Sequence, residues 1–425
     1  MIKSISKNLW SQYRHEISNE IHRRPYYELY SPLRVSLFSL HTKNSQKNYK
    51  YLHELCQYLS IPSPVDSSLT FKHTYQNKFT LKWESHREFC TFQFIKNQNI
   101  ETNNLFKQSN FEYIPELWVD SLENIINCVN LEVIDNHNIQ NNEDIYNAFD
   151  NNYIVGSYMN DKKAKLYSDF RIDGNGYHRI LMVNENLTRH QLGRSVQRVL
   201  DVESYRSMAM IGLFNNKEIN SELDILNNEL LQINRDFEIK KEINLEEYYN
   251  KLTYIANRAH RLNNENKFRF QASNSYFPII NERLKELKLS TIDCIQPYDI
   301  YLNSRLNPAK RTSETTEKRL NETLQQMDRT ANLIQTNVEL DVKNSNNLLL
   351  DSMNKKTDVQ IKLQKTVEGL STVVLTYYSV TLFNHAITGI YNYYPMLLEP
   401  KLISSISIIP FGIYYHLMIK NKLKN

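Results

Sequence analysis

The last third of the chain shows its most regular pattern of apolar and polar positions. Between Pro308 and Gly369 no Pro or Gly interrupts the chain, so we predict one long stalk helix over residues 308–368. Its apolar residues recur at alternating spacings of four and three, which is typical of a coiled-coil-like seam; they are Leu320, Leu324, Met327, Ala331, Ile334 and Val338. A helix this polar is not stable alone. Its seam fits packing against preceding helices and self-association into a homo-oligomer equally well.

Charged residues then disappear from the pattern. Residues 369–398 contain no Asp, Glu, Lys or Arg, and neither do residues 402–419. A helix of about 20 apolar residues is long enough to cross the hydrocarbon core of a bilayer. We therefore predict a two-helix transmembrane hairpin, with helices over 369–391 and 402–419, followed by a basic tail over 420–425.

The lysines around this hairpin predict its orientation. Four precede the first span and three follow the second, whereas the connecting loop over 392–401 has one Lys and one Glu. Because positively charged residues flank spans on the cytoplasmic side, both termini are expected in the cytoplasm and the loop outside. The flanking residues are Lys355, Lys356, Lys362, Lys365, Lys420, Lys422 and Lys424.

The first 185 residues alternate apolar and polar side chains with the period of two that β-strands show. About seven strands with interspersed helices are predicted there, which indicates an α/β domain over residues 1–185. The pattern turns helical from residue 186, so residues 186–307 are expected to form a helical domain. The fold class is therefore α+β. Strands are predicted near 32–40, 71–95, 129–134, 151–159, 164–172 and 177–183, and helices near 45–59, 116–126, 187–213, 217–240, 244–262 and 273–289.

The composition argues against several classes of function but does not identify the function. A net charge of +4 over 425 residues gives no indication of a nucleic-acid partner. The four cysteines lack metal or disulfide spacing and are expected to be reduced thiols. His86 shares one strand face with Glu84 and Glu88, but a solvated face is favoured over a metal site. With no P-loop, nucleophile elbow or dinucleotide fingerprint, we predict neither an enzyme nor a cofactor.

Seven distinctive stretches run in order over almost the whole chain: NEIHRRP (19–25), LKWESHREFCTFQF (81–94), SDFRIDGNGYHRI (168–180), GRSVQRVLDVESYRSMAMIGL (193–213), FRFQASNSYF (268–277), RLNPAKRT (305–312) and LQKTVEGLSTVVLTYY (363–378). These stretches resemble an uncharacterised bacterial family of membrane-anchored proteins, catalogued as domain of unknown function 3422. The resemblance implies a location in the bacterial inner (plasma) membrane. It implies no specific activity.

The order of elements is also similar to the architecture of CorA-type magnesium channels. In both, a cytosolic domain precedes one long helix that enters the membrane, a short outer loop and a second span. That family ends its first span in Gly-Met-Asn, which holds hydrated cations. Here Gly389 and Asn392 are separated by two residues, so the motif is absent as written. This resemblance implies a homo-oligomeric divalent-cation channel or transporter.

Four polar residues near the predicted membrane segment are candidates for a pore or a polar membrane site: Glu368, Asn384, His385 and Asn392. In a symmetric oligomer Glu368 would form an acidic ring, although an interfacial carboxylate bound to Lys365 or Gln364 is favoured. Two stripes of hydroxyl residues point in nearly opposite directions along the first span. We expect these hydroxyls to bond to their own backbone or to join helices.

A charged cluster near residue 200 is a possible ligand or interface site. It consists of Arg194, Gln197, Arg198, Glu203 and Arg206. Pairing along the helix surface, Glu203 with Arg206 and Asp201 with Arg198, explains much of it. The sequence therefore favours a membrane-anchored protein with a large cytosolic domain, assembling as a structural or regulatory module. The alternative is the CorA-like channel, and the expected partners are the lipid bilayer and further copies of the chain.

Overall fold

A computed structural model describes residues 13–14, 17–18, 27–42, 44–64, 68–139, 142–239, 244–392 and 399–422. It forms two compact units, residues 1–329 and residues 330–425. The predicted mixed fold is confirmed, because a nine-stranded sheet occupies the N-terminal part and long helices follow it. The two strands beyond the expected seven come from the resolution of 71–95 into three strands and from a short strand between two helices.

The strands are β1 (Leu33–His41), β2 (Thr70–Tyr75), β3 (Phe79–Ser85), β4 (Phe89–Asn97), β5 (Ile125–Asp135), β6 (Val155–Met159), β7 (Ala164–Ile172), β8 (His178–Asn184) and β9 (Ser290–Thr291). Their order across the sheet is β2-β3-β4-β1-β5-β8-β7-β6-β9. Among the ladders between these strands, β5 and β8 pair parallel and the others antiparallel. Strand β1 therefore lies between β4 and β5, although β2 and β3 separate it from both of them in the chain.

The helices of the sheet-containing unit are α1 (Ser45–Leu59), α2 (Glu116–Ser121), α3 (Asn142–Ala148), α4 (Arg189–Ile239) and α5 (Leu245–Glu286). Helix α6 (Tyr298–Tyr391) begins in this unit, and α7 (Pro400–Lys422) is the last helix of the chain. The sequence predicts two helices where α4 runs for 51 residues and two where α5 runs for 42. Both helices continue because the polar stretches between their apolar segments contain no strong helix breaker.

Both faces of the sheet are covered. On one face Val35, Leu131 and Met182 pack against α4, the end of α5 and the start of α6. On the other face α1, α2 and α3 cover two further clusters, one around Trp83 and one around Phe149. Strands buried on both sides need apolar residues on both sides. The buried charged side chains within these strands are therefore conspicuous, and each of them forms an ion pair.

The seam of α6 packs within the chain for part of its length. Leu320 is fully buried in a cluster with Ile219 and Leu223 of α4 and Phe270 of α5. Hydrogen bonds from α6 to α4 flank that cluster, with Asn220 donating to Thr316 and Thr323 to Asn227. Over this stretch the seam thus joins α6 to preceding helices, which is one of the two alternatives that the sequence leaves open.

In the second unit, the side chains of α6 from residue 335 to residue 367 are all exposed. Beyond them the helix packs against α7. Ser379 and Tyr415 share a hydrogen bond of 2.7 Å, and the Phe383 and Phe411 rings meet edge to face at 5.7 Å. Helices α6 and α7 therefore pack against each other, as the predicted hairpin requires. Its connection over 393–398 and the last residues, 423–425, lie outside the described residues.

Gly193 is required by a close approach of two backbones. A Cβ atom at this position of α4 would lie 1.7 Å from the Tyr27 carbonyl oxygen. The segment that begins at Tyr27 also donates the Leu29 amide to the Arg189 carbonyl, at 3.3 Å. Because a carbonyl cannot move aside as a flexible side chain can, only glycine fits here without displacing the 27–29 segment.

We expect Gly193→Ala to lower the free energy of unfolding by about 1–3 kcal/mol, the usual cost of overpacking. Thermal unfolding of the full chain in detergent measures this effect. Gly174→Ala is the matched control, because a Cβ atom there meets nothing within 4 Å. Equal melting temperatures for the two variants would contradict the steric argument.

Candidate functional site

The predicted cluster on α4 separates into two sites. The Glu203 carboxylate, which binds Arg206, faces the start of α6, whereas Gln197 and Arg198 face β3 and the end of α5. Successive side chains on a helix turn by about 100°, so residues six positions apart point in clearly different directions. In the described part of the chain, no ion pair is formed by Arg194. The structure therefore does not join the five predicted residues in one site.

Glu203 is the centre of the first site. Its buried carboxylate accepts hydrogen bonds from Arg206 at 2.9 Å and from the Tyr298 hydroxyl at 3.1 Å. The predicted pairing of Glu203 with Arg206 is confirmed. Burial alone would raise the pKa of Glu203, but the Arg206 charge holds that pKa below its ordinary value. Burial and the neighbouring carboxylate raise the pKa of Tyr298, so this tyrosine is a hydrogen-bond donor to a carboxylate anion.

The second site is a row of side chains that connects β3 to α4 and α5. Lys82 donates to Gln197 at 2.5 Å, and Gln197 donates to Asp201 at 2.7 Å. Asp201 also pairs with Arg283 at 3.0 Å. Further along, Glu286 accepts from both Arg198 and Arg283, at 2.9 and 3.0 Å. The row is therefore a structural connection between the sheet and two helices, with its charges paired.

Within this row, the pKa of Asp201 is shifted from its ordinary value. Burial and the nearby Glu84 carboxylate raise the pKa of Asp201 to about 6, against the pull of Gln197 and Arg283. Its side chain is 20% exposed. The folded protein consequently binds a proton here at a higher pH than the unfolded chain does.

A third group of buried polar residues joins β3 and β4 to α5. Arg269 donates two hydrogen bonds to Glu88, at 2.8 and 2.9 Å, and the Tyr276 hydroxyl donates a third at 2.6 Å. Glu84 is paired with Lys82 at 3.2 Å. Neither glutamate is therefore available beside His86 for a metal. Within the described residues, no group of three His, Cys, Asp or Glu side chains is arranged to hold a metal ion.

The cysteines have no disulfide partner. Cys56 and Cys90 are buried, Cys128 is half-buried and Cys294 is exposed. Burial raises the pKa of Cys90 to about 12 and also raises that of Cys128. A thiol reacts as its thiolate, so these two are packing residues rather than nucleophiles.

A polar site that the local sequence pattern does not reveal lies on the sheet face that α2 and α3 flank. Arg34 and Glu132, on neighbouring strands, form a fully buried ion pair of 2.7 Å. Burial raises the pKa of Glu132 despite the Arg34 charge. Glu132 also accepts the Phe106 amide at 3.2 Å, and Asn110 donates to the carbonyls of Arg34 and Phe94. These bonds hold the loop between β4 and α2 against the sheet.

Beside this loop lies a cavity of about 570 Å³. Arg179, at the start of β8, is 5% exposed and binds the fully buried Asp169 carboxylate at 2.6 Å. It binds Asp150 at the same distance, although 76% of the Asp150 side chain is exposed. The cavity is lined by Thr102, Leu105, Phe106, Lys107, Asp144, Asn147, Ala148, Asp150, Asp173, Gly174, Asn175 and Arg179. Its polar groups come from four separate segments.

The only signals of this site in the sequence are polar residues within apolar strands, such as Arg34 and Glu132, and the turn over 173–176. That turn is present: Asp173 accepts the Asn175 and Tyr177 amides at 2.9 and 2.8 Å. Gly176 adopts a φ of +91°, which favours glycine. These contacts form a tight hairpin between β7 and β8, and its turn contributes to the lining of the cavity.

The four candidates near the predicted membrane segment lie along one helix and do not form one site. Sixteen residues separate Glu368 from Asn384, about 24 Å along a helix. Glu368 and Asn384 are half-buried, whereas His385 and Asn392 are exposed. The Asn384 Oδ1 atom has no hydrogen-bond partner in the described part of the chain. Neither Lys365 nor Gln364 binds the Glu368 carboxylate among the described contacts.

The hydroxyls of the two stripes bond to the helix backbone or to the adjacent helix, as expected. Thr372 donates to the Glu368 carbonyl, Thr376 to the Thr372 carbonyl and Thr388 to the Asn384 carbonyl, at 2.7–2.9 Å. Ser379 bonds to Tyr415 of the adjacent helix. These groups satisfy the helix backbone and join the two helices.

Among the described residues, one helix is long and apolar enough to cross a membrane, over Pro400–Ile419. Its mean hydropathy is 1.6 and 11% of it is buried. Segment 369–391 is the first of the two predicted spans. It is less apolar than Pro400–Ile419, because Asn384, His385 and several hydroxyl residues lower its mean hydropathy. Among the described residues, only one of the two expected spans is thus long and apolar enough to cross a membrane.

A comparison with protein families gives one match over nearly the whole chain. The family is described as a protein of unknown function (DUF3422), and the match covers residues 11–424. No curated protein matches the sequence.

A pH-dependent stability follows from the Asp201 site. Its pKa is about 6 in the folded protein and near 3.8 otherwise, so the folded state binds more protons between these values. Stability from this group is present below pH 4 and is lost as the pH rises through 6. Asp201→Asn removes this dependence, so we expect the variant to gain up to about 2 kcal/mol relative to wild type between pH 4 and pH 7.

Thermal unfolding of both proteins in detergent over that pH range measures the difference. Asp161→Asn, on a carboxylate with 70% side-chain exposure, is the matched control. A constant difference between wild type and Asp201→Asn at every pH would refute the assignment.

Proposed function

The chain belongs to the DUF3422 family, and we propose that it is a membrane-anchored structural or regulatory module that assembles through its long helix. The observation that carries the proposal is the apolar surface of α7 and of the adjacent part of α6. The proposal contains no enzymatic step. It gives the hairpin the role of an anchor and the sheet-containing unit the role of a cytosolic domain.

The helix pair exposes a large apolar surface. Large contiguous apolar patches mark interaction or membrane surfaces. Half or more of the side-chain surface is exposed at each of these residues of the helix pair: Leu370, Val373, Tyr377, Tyr378, Leu382, Ile390, Leu402, Ile406, Ile408, Ile409, Ile413, Tyr414 and Leu417. Lipid tails would cover this surface and thereby remove it from water.

The threonine hydroxyls of the helix pair suit the same environment. In a bilayer core the backbone and the hydroxyls need internal partners, because no water supplies them. Thr372, Thr376 and Thr388 meet this need through carbonyls of the preceding turn. Small residues also allow the helices to approach, since a Cβ atom at Gly412 would meet Thr376 at 3.9 Å. The flanking lysines then support cytoplasmic termini.

The exposed stretch of α6 over 335–367 supports assembly. A helix with solvent on all sides obtains no tertiary stabilisation, and most helical stability in proteins comes from packing. Within this stretch Val342, Leu349, Lys356 and Leu363 recur every seven residues, the repeat of a coiled coil. A second copy anchored in the same bilayer presents the identical face in the same register, so we propose parallel self-association here.

We do not extend the proposal to divalent-cation transport. The hydroxyls of the helix pair bond to carbonyls or to Tyr415, and no observation favours a pore over an anchor. Self-association through the stalk needs no pore.

Membrane anchoring predicts the effect of charges on the exposed face of α7. Ile406→Arg with Ile409→Arg replaces side chains that are 67% and 69% exposed. Each arginine costs about 2.5–3.5 kcal/mol at the centre of a spanning helix. We expect this double variant to be released from membranes by alkaline carbonate, whereas the wild-type chain stays in the pellet.

The matched control is Leu348→Arg with Leu350→Arg, because these side chains of α6 are 74% and 57% exposed. This variant should stay in the pellet. Release of the wild-type protein by carbonate would contradict the anchor, and retention of the α7 variant would place the anchor elsewhere.

Self-association predicts cross-links at one helix face. In a Cys294→Ser background, Leu349→Cys is expected to form disulfide-linked dimers on mild oxidation in membranes. Asn354→Cys is the control, because position 354 lies roughly 140° around the helix from position 349. Cross-linking of both variants to the same extent, or of neither, would contradict a coiled coil with this face.

A further inference from the structure

The bundle that α4, α5 and α6 form in the first unit contains one interior layer of small polar residues. On the side of the sheet, Ala209, Phe277 and Leu306 belong to the main apolar core. On the distal side, away from the sheet, Leu320 packs in the apolar cluster that joins the three helices. Between these apolar levels lies the polar layer, whose members are all buried: Gly212 and Asn216 of α4, Ser273 of α5 and Ser313 of α6.

The three helices meet closely at the polar layer. The Ser273 and Ser313 hydroxyl oxygens lie 2.5 and 4.0 Å from the point that a Cβ atom of Gly212 would occupy. Asn216 follows Gly212 by about one helical turn, so its side chain lies on the same face of α4. The hydroxyls and the amide thus come from three helices but lie at one level of the bundle.

The hydrogen-bonding groups of the polar layer lack partners. Asn216, Ser273 and Ser313 are each at most 2% exposed. In the described part of the chain, neither hydroxyl has a hydrogen-bond partner, and neither does the Nδ2 or the Oδ1 atom of Asn216. By contrast, Asn220 donates to Thr316 one turn farther along α4. Because buried polar atoms without partners are costly, the packing at this layer is less favourable than at the level beside it.

Residues that weaken a helix lie at or near the polar layer in all three helices. Gly212 lies inside α4, Pro278 inside α5 and Pro308 inside α6. Each proline is five residues from the layer serine of its own helix, about 7.5 Å along the axis. Proline removes a backbone hydrogen bond and is the usual cause of a helix kink, and glycine lowers helix propensity. The three helices are therefore easiest to bend at this level.

The two prolines lie at the same end of the polar layer. Phe270 of α5 shares the distal cluster with Leu320 of α6, whereas the main core contains Phe277 of α5 and Leu306 of α6. These pairs show that α5 and α6 run antiparallel. A proline that follows the layer in α5 and one that precedes it in α6 consequently both lie toward the sheet.

We propose that the polar layer is a hinge, at which the distal parts of α4, α5 and α6 bend together relative to the sheet. The moving group comprises residues 217–239, 245–272 and 314–329. Hydroxyl and amide groups both donate and accept hydrogen bonds, so a bend that brings the side chains of the layer together pairs them with one another. This pairing offsets the apolar contacts that the bend disturbs, and the bundle has two states of similar free energy. Hinges of this kind absorb a motion at a few residues.

Distances between two spin labels, measured by pulsed electron paramagnetic resonance on the full chain in detergent, test the hinge. In a Cys294→Ser background, Ile172→Cys and Tyr254→Cys carry the labels, one on the sheet and one on distal α5. These side chains are 65% and 64% exposed. A bend of about 20° displaces a point about 28 Å beyond the layer by roughly 10 Å. We expect two maxima separated by a distance on this scale.

The control pair, Ile225→Cys with Tyr249→Cys, lies entirely in the distal part and should give one narrow maximum. Ser273→Ala with Ser313→Ala removes the partners that Asn216 gains in the bent state, so the sheet-to-bundle pair should then give one maximum as well. Thr323→Val is the matched substitution, because the Thr323 hydroxyl already donates to Asn227. It should leave both maxima in place.

Pro278→Ala with Pro308→Ala is a second hinge variant, which keeps the test decisive if the serine variant does not fold. Restored backbone hydrogen bonds should stiffen α5 and α6 and again leave one maximum. One narrow maximum for the sheet-to-bundle pair without these substitutions would overturn the proposal. Two maxima that persist in the hinge variants, or an equal spread in the control pair, would overturn it as well.

Discussion

Burial of the sheet on both faces is the constraint on which the rest of the first unit depends. A charged side chain on such a strand has no water to solvate it, so it needs a partner of opposite charge and further hydrogen bonds. Arg34 meets Glu132 on the next strand, and Arg179 meets Asp169. Glu88 meets Arg269 of α5. Loss of one partner from such a pair costs about 3–5 kcal/mol, because the other charge stays buried.

These pairs also determine where the covering segments lie. Glu132 takes the Phe106 amide, which fixes the loop before α2. Arg269 and Tyr276 bring the turn between β3 and β4 to α5, and Tyr298 brings the start of α6 to Glu203 of α4. The same polar groups that make the interior costly to build thus position the cavity at its edge. A site of this kind is rigid, because strands and buried ion pairs hold its floor.

The second unit is under the opposite constraint, because much of α6 is exposed rather than buried. From residue 335 to residue 367 every side chain of α6 is exposed. The residue types on its surface therefore indicate the environment that suits each part of the helix. Up to residue 367 that surface is mainly polar, with apolar Val342, Leu349 and Leu363 at heptad spacing, and beyond it the surface becomes apolar on most sides. In the proposed assembly, water and a second helix would cover the first part, and lipid would cover the second. The proposed anchor and the proposed self-association are therefore two consequences of one helix that changes its surroundings along its length.

Local pattern by itself determined much of this protein. Period-two alternation predicted the strands of the sheet, and the absence of Pro and Gly between 308 and 369 predicted a continuous helix, because each depends on residues close in the chain. Only the tertiary structure decided that β1 lies between β4 and β5, that Leu320 packs on α4, and that Gln197 and Glu203 serve different sites. The cavity around Arg179 belongs to the same class, since Lys107, Asp150 and Asp173 are brought together by sheet pairing over long sequence separations. No local period encodes such contacts, because they depend on which buried surfaces and charges complement one another in three dimensions.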